Sequence, residues 1–323
     1  MRKVLGGVGL GVLLVACSAR AEGLNGWTYL VEKLVADGLA RDRVVGVFED
    51  PRLEPFSGLE FSPDRPRESH ARYRGFLTPA RVAMARRCRA QHAEAFETAE
   101  QVHGVPASVL ASVLFVETAC GQNTGSHRIF YRLARLAMAN EPANVERNIV
   151  HVAEQEGGFD PATEAKLRDR ARYLEATFYP EVRALFELAD REGVDPLALR
   201  GSASGAFGYP QFLPSSFLHD AIDGDGDGTV SLYDPADAAA SCARYFAGRG
   251  WRPGLGASER RALVWEYNHS SAYVDTVLAL AAYIDAPDTP VPTRSVKRGK
   301  ASRTRKTAHT KRRHTHVQPT RGR

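Results

Sequence analysis

Apolar residues in this chain fall at helical spacing almost wherever they cluster. Trp27, Leu30, Val31, Leu34, Val35 and Leu39 share one helical face. Thr78-Pro79 offers an N-cap followed by proline at the first helical position, which predicts a helix running to about His103 with Gly104 as its stop. Pro106 opens the next helix, with Val109, Leu110, Val113, Leu114 and Val116 turned inward and Gly121 ending it after Cys120. Further helices are predicted over residues 162–175, 180–192, 235–249, 259–267 and 272–284. Alternating runs are few and no segment repeats, so the expected fold is mainly α with little β structure.

That pattern sets one acid where a charge is costly. In "SVLFVETACGQNTG", Glu117 stands in the last turn of an otherwise apolar helix. Taking an unpaired charge out of water costs several kcal/mol, so the acid either has a partner or is kept protonated for use. The negative end of the helix dipole and an apolar setting both oppose ionisation. A raised pKa is therefore expected, as suits a general acid working near neutral pH. The bland alternative for a lone helical glutamate is a solvated or ion-paired surface residue.

Two more stretches mix polar groups with aromatic faces. "GSASGAFGYPQFLPSSF", residues 201–217, combines close-approach glycines with Ser202 and Gln211 as hydrogen-bonding groups and Phe207, Tyr209 and Phe212 as rings. Sugars are bound by such a mixture, although a tight loop with aromatics in the core has the same composition. "WEYNHSSAYV" adds Tyr267, Asn268 and Tyr273 in the same style.

"DGDGDGTVSLYDPAD" is the strongest local signal. Asp223, Asp225 and Asp227 stand at positions one, three and five, Gly228 at six and Thr229 at the backbone-carbonyl position, followed by the apolar Val230. This order reproduces the oxygen cage of an EF-hand calcium loop. Asp234 occupies position twelve, but it precedes Pro235 and has the character of a helix N-cap.

Composition adds the location. At 323 residues, 43% hydrophobic and 25% charged, the chain buries a sizeable core and is not disordered. Arg2 and Lys3, then an apolar run from Val4 to Val15 too short to span a bilayer, read as an export signal. Leu14-Val15-Ala16-Cys17 has the form of a lipobox, which predicts acylation at Cys17 and a membrane anchor. Cys88, Cys120 and Cys242 remain; an oxidising envelope permits one disulfide among them and leaves one thiol, and their spacing fits no zinc pattern. Residues 291–323 hold 12 Lys and Arg and no acid, against a net charge of +5 for the whole chain, so the remainder is net acidic. This tail is expected to be disordered and to meet anionic wall polymer or phospholipid headgroups rather than nucleic acid, which an exported chain seldom encounters.

Taken in order, "GVPASVLASVLFVETACG", "FYPEVRALFELADREGVDPLALRGSASGAFGYPQFLPSSF", "DGDGDGTVSLYDPADAAASCARYFAGRGW" and "EYNHSSAYV" resemble the membrane-bound, lipoprotein type of the lytic murein transglycosylase B family. The resemblance covers roughly residues 76–284. It implies a lysozyme-like catalytic core and an enzyme on the periplasmic side of the envelope, anchored in the outer membrane. Such an enzyme cuts the β-1,4 bond from N-acetylmuramic acid to N-acetylglucosamine in peptidoglycan, with the muramoyl C6 hydroxyl as nucleophile and a 1,6-anhydromuramoyl end as product. Glu117 falls on the catalytic glutamate. Ser202 and Gln211 would contact sugars, Phe212, Tyr245 and Tyr273 would flank the groove, and Tyr267 and Asn268 would line the catalytic centre. The family's longer loop points to Asp237 as the closing calcium ligand, with calcium as a structural brace.

The implied organisation is a signal peptide at 1–16, an N-terminal helical segment and linker at 17–75, the catalytic domain at 76–285 and the basic tail at 286–323. Three departures from the family stand out: Cys120 where an aromatic is usual, Ala203-Ser204 for a usual Tyr-Ala, and "NEPANVE" without the usual arginine pair. Two other readings stay open at this point. One is a muramidase that admits water to the same site, and the other is a non-catalytic, calcium-braced peptidoglycan-binding lipoprotein.

Overall fold

The computed structural model describes residues 24–64, 70–158 and 160–291; the signal segment, Cys17 and residues 292–323 lie outside them. The described residues are mainly helical. In chain order they give α1 (Thr28–Ala36), α2 (Arg41–Phe48), α3 (His70–Tyr73) with a 3-10 turn (Arg74–Leu77), α4 (Pro79–Gln91), α5 (Ala93–His103) and α6 (Ala107–Thr118). There follow β1 (His127–Arg128), α7 (Ile129–Ala137), α8 (Pro142–Glu156), α9 (Pro161–Glu192), β2 (Arg200–Gly201), α10 (Pro214–Asp220), α11 (Pro235–Gly248), α12 (Ala257–Tyr267) and α13 (Ser271–Asp285).

Helix α6 runs through the middle, with α13, α4, α5 and α11 packed around it. Its apolar residues occupy every face because every face meets a neighbour. On the other side α7 and α10 lie along the 32-residue α9. The two short strands pair antiparallel, His127 opposite Gly201 and Arg128 opposite Arg200, and so tie the start of α7 to the glycine-rich segment.

The N-terminal residues belong to the same core. Trp27 is fully buried, its ring 5.6 Å from Phe48, 5.3 Å from Phe56 and 6.1 Å from Tyr131. Tyr29 and Lys33 of α1 each donate to Glu175 Oε1 on α9 at 2.7 Å, and Asn140 donates to its Oε2 at 3.0 Å.

Two boundaries differ from the helical pattern. The helix expected from Thr78 to about His103 breaks at His92 (φ −114°, ψ 39°). The bend lets α4 meet α6 and α13 while α5 meets α11, an accommodation that neither glycine nor proline announces. Residues 162–192 are one helix, with Pro180 inside it rather than starting a second. Proline favours a first turn, but burial of Tyr179, Val182, Leu185 and Phe186 carries the helix through it. Helices α2, α3, α7, α8 and α10 were not anticipated, three of them being only 8, 4 and 7 residues long.

Of the three cysteines, Cys88 in α4 and Cys120 beyond α6 form the disulfide, and Cys242 in α11 is a buried free thiol.

Glu175 yields a test of how the N-terminal helix is held. Burial opposes its ionisation, but hydrogen bonds from Lys33, Tyr29 and Asn140 outweigh that cost and hold its pKa below the usual glutamate value. Glu175→Ala is expected to cost about 2–4 kcal/mol at pH 7, from the loss of a buried, multiply bonded carboxylate. Because the folded pKa is depressed, the contribution is present above the unfolded value and is lost as pH falls through the folded one. Denaturant unfolding at pH 7 and pH 3 is expected to show the gap between wild type and variant narrowing at the lower pH.

Candidate active site

Every residue of α6 except Glu117 is buried; Glu117, one position from the end, is partly exposed. The helix then stops abruptly. Ala119 (φ 51°), Cys120 (φ 57°) and Gly121 (φ 79°) are all left-handed, and only the third is glycine. A side chain in this region costs about 1–2 kcal/mol per residue, so surrounding contacts must hold the turn. Backbone bonds supply part of that hold, Ala119 N to Phe115 O at 2.9 Å and Cys120 N to Leu114 O at 3.1 Å.

Thr118 joins the turn to the glycine-rich segment. Its Oγ1 accepts from Gly121 N at 2.9 Å and lies 3.0 Å from the Tyr209 carbonyl oxygen, to which its hydroxyl donates. The Tyr209 ring occupies the space where a Gly121 side chain would be, 2.0 Å from an ideal Cβ. Gly121 is thus required twice, by its φ and by the ring above it.

The segment from Gly201 to Phe212 is folded tightly on itself. Ser202 N donates to Ala206 O at 2.8 Å and Ser202 Oγ accepts from Ala206 N at 3.1 Å. Phe207 and Phe212 exchange backbone bonds of 2.9 and 3.1 Å, closing a turn over Gly208, Tyr209, Pro210 and Gln211. Gln211 is left-handed (φ 53°), and its Nε2 donates to Gly208 O at 2.9 Å and Thr124 O at 3.2 Å. Ser202 and Gln211 remain partly exposed while bracing this backbone. Arg132 of α7 donates from Nε to Ala203 O at 2.8 Å.

Tyr267, at the end of α12, donates its hydroxyl to the Pro210 carbonyl oxygen, and Asn268, partly exposed, ends that helix in extended backbone. Tyr267 stacks on Phe246 at 5.4 Å and on Tyr273 at 6.3 Å, and lies 4.9 Å from Tyr245 and 6.2 Å from Phe212. The rings expected to flank a groove are buried in this cluster, with Phe212 3%, Tyr245 8% and Tyr273 1% exposed. Tyr245 is further occupied by the Arg249 guanidinium 3.4 Å above its ring and by a 2.8 Å bond from its hydroxyl to Glu266 O. These three rings pack as core.

Beneath Glu117 the electrostatics converge. Burial raises the pKa of the Tyr273 hydroxyl well above the usual tyrosine value, and Glu117 is the next cause. The hydroxyl itself is buried and faces Glu117, whose hydrogen bonding contributes to the same shift. Burial also pushes up the Cys242 thiol, with Glu117 again the next cause. Tyr267 is raised by burial, then by Cys242 and Glu117. Tyr273, Tyr267 and Cys242, all neutral at pH 7, therefore lie close enough to Glu117 to be shifted by it, and the Tyr267 hydroxyl is committed to the Pro210 carbonyl. Cys242 was not foreseen here; its signal is the i, i+3, i+4 spacing with Tyr245 and Phe246 on one face of α11.

The acidic loop sits against the same segment. Tyr209 N donates to Leu232 O at 2.8 Å, the Tyr233 hydroxyl donates to Arg200 O, and a side chain on Gly208 would meet Leu232 Cβ at 2.3 Å. Asp223, Asp225 and Asp227 form one group of carboxylates with ligand oxygens within 4.8 Å, and Asp225, Asp234 and Asp237 form another. Asp234 caps α11, accepting from Ala236 N at 2.7 Å and Asp237 N at 3.3 Å. Asp237 is 2% exposed and accepts from Gly224 N at 2.7 Å and Ser231 N at 2.6 Å, which clamps the loop from inside. Burial raises its pKa. Thr229 donates from its backbone N and its hydroxyl to Asp227 Oδ1 at 2.8 and 2.6 Å.

A cleft of about 1070 Å³ opens between residues 57–60 and helices α7 and α8, lined by Arg132, Arg135, Arg147, Asn144, Asn148 and His151 among others. Glu117 does not line it. Arg132 links this cleft to the glycine-rich segment.

Residues 25–263 match the model of the transglycosylase SLT domain. Over 193 residues the chain is 35% identical to membrane-bound lytic murein transglycosylase B of Escherichia coli K12, an alignment covering 59% of this chain and 45% of that protein. The chain thus matches less than half the length of that curated relative. The fold is similar to soluble lytic transglycosylase SltB1 from Pseudomonas aeruginosa, with a TM-score of 0.60 and 25% identity over 81% of this chain and 98% of the other. It is also similar to the Escherichia coli lytic transglycosylase Slt35 in complex with calcium, with a TM-score of 0.57 and 24% identity over 81% of this chain and 93% of the other. With a buried helix whose last turn carries Glu117, a glycine-rich segment bonded to the turn beyond it and an acidic loop against that segment, the chain belongs to the transglycosylase SLT domain family.

Proposed function

We propose that this protein is a peptidoglycan lytic transglycosylase that cleaves the MurNAc-β-1,4-GlcNAc bond and leaves 1,6-anhydromuramoyl ends. The observation that carries the reading is Glu117, the one open position of an otherwise buried helix, set among the neutral groups Cys242, Tyr267 and Tyr273. A carboxyl in the last turn of a buried helix, reached by solvent, can give a proton to a leaving oxygen and take one back. One such group suffices when the N-acetyl group of the substrate acts as internal nucleophile. Glu117 then takes the proton from the C6 hydroxyl as that oxygen closes on C1. Ser202, Gln211 and Asn268, all partly exposed, are the sugar-contacting groups in this reading.

The acidic loop is a calcium brace in the same proposal. Asp223, Asp225 and Asp227, the Thr229 carbonyl and Asp237 supply the hard oxygen donors calcium prefers. The clustering of their carboxylates and the burial of Asp237 support the assignment. A related fold, Slt35, is known in complex with calcium. The metal would stiffen the loop that supports Gly208 and Tyr209, without touching the reaction.

Location follows from segments outside the described residues. Cys17 is proposed as the acylated anchor in the outer membrane. None of the described helices is long and apolar enough to cross a bilayer. The basic tail is proposed to tether the enzyme to anionic wall polymer or phospholipid.

Three outcomes are expected. Glu117→Gln keeps the shape but removes the titrating group, so turnover on purified peptidoglycan should fall at least about a hundredfold; mass analysis of wild-type products should show anhydro ends, whereas reducing muramic ends would favour the muramidase reading. Calcium at a hundred times its dissociation constant should stabilise the metal-stripped protein by about 2.7 kcal/mol, read as a higher melting temperature, and Asp227→Ala should abolish that rise. Wild type should fractionate with membranes and Cys17→Ser should not reach an acylated, cleaved form, as checked by the mass of the N-terminal peptide.

A further inference from the structure

We propose that the Cys88–Cys120 disulfide is a positioning device for Glu117, so that catalytic activity is conditional on oxidation of this pair. The inference rests on Glu117 being the acid–base residue. Helix α6 ends in the left-handed run Ala119, Cys120 and Gly121, of which only glycine adopts that conformation freely. Cys120 lies three residues beyond Glu117, and its sulfur is bonded to Cys88 in the last turn of α4. The anchor is firm, since Cys88 is 6% exposed and α4 packs on both α6 and α13. The bond therefore holds from outside a turn that its own residues disfavour.

The same turn sets the surroundings of Glu117. Through Gly121 it seats the Tyr209 ring, and through Thr118 it holds the glycine-rich segment by the Tyr209 carbonyl. Helix α13, packed against α4, carries Tyr273 beside the carboxylate. When Cys120 is freed, the left-handed run loses its outside tether. Glu117 then moves relative to Tyr273 and to the segment above it, while the buried body of α6 stays in place.

Cys120 is partly exposed, which opens the bond to a small dithiol. The exchange is balanced: the dithiol supplies two electrons and two protons, the S–S bond breaks to two thiols, and the dithiol leaves as its own disulfide. Cys242, fully buried, takes no part.

The test compares oxidised wild type with Cys88→Ala/Cys120→Ala and with Cys88→Ala/Cys120→Gly, measuring kcat and KM on soluble glycan strands together with melting temperature. Alanine at 120 keeps the backbone cost without the tether, so kcat should fall about ten- to a hundredfold, in line with misplaced catalytic groups, while KM changes little. Glycine at 120 removes the backbone cost and should recover most of kcat, with a melting temperature above that of the alanine pair but below that of oxidised wild type. Dithiol treatment of folded wild type, checked by circular dichroism, should lower kcat reversibly, and this comparison replaces the alanine pair should that variant fail to fold. Unchanged kcat in the alanine pair or in reduced wild type overturns the inference, as does a glycine pair no more active than the alanine pair. An oxidised wild type with no activity overturns the acid–base reading and this inference with it.

Discussion

The termination of helix α6 is the constraint on which the rest of the structure depends. A helix buried on all sides has no face to spare for an ionisable group, so the one place such a group can reach solvent is the end. Glu117 occupies that end, and the left-handed run after it turns the chain away at once. The Tyr209 ring lies directly on Gly121, so the chain beyond Thr118 has to turn where it does. The disulfide to α4, the hydroxyl of Thr118 and the ring lying on Gly121 all act on these few residues.

From there the support passes outward. The glycine-rich segment rests on the turn through Tyr209 and on the acidic loop through Leu232, and the loop in turn is clamped to the first turn of α11 by Asp237. Helix α11 then returns Cys242, Tyr245 and Phe246 to the cluster under Glu117. Phe212, Tyr245 and Tyr273 are thus packed in the core, whereas the polar groups Ser202, Gln211 and Asn268 stay partly exposed.

The helical class, α6 with its inward residues, and the position of Glu117 in the last turn were legible because apolar spacing, Pro106 and Gly121 all point the same way. The N-cap role of Asp234 was legible from the proline that follows it, whereas Asp237 was indicated only by the family resemblance. The break at His92 and the continuation through Pro180 were not, because each is decided by what the helix packs against rather than by its own residues. For Phe212 and Tyr245 the sequence left core packing and a groove wall evenly balanced, since the same aromatic spacing serves a sugar-binding wall or a packed core. The choice of Cys88 and Cys120 over Cys242 was equally hidden; it depends on α4 and the end of α6 meeting in space, and Cys242 lies in the core between other helices.

The central claim is that the end of α6 presents a carboxyl to a glycosidic oxygen. A crystal structure of the Glu117→Gln variant with a bound peptidoglycan oligosaccharide tests it most directly. The account predicts the bridging oxygen of one MurNAc-GlcNAc linkage within about 2.6–3.2 Å of the residue-117 side chain, with the glycine-rich segment closed over the same linkage. A glycan lying wholly in the cleft between α7 and α8, with no linkage near residue 117, would contradict it.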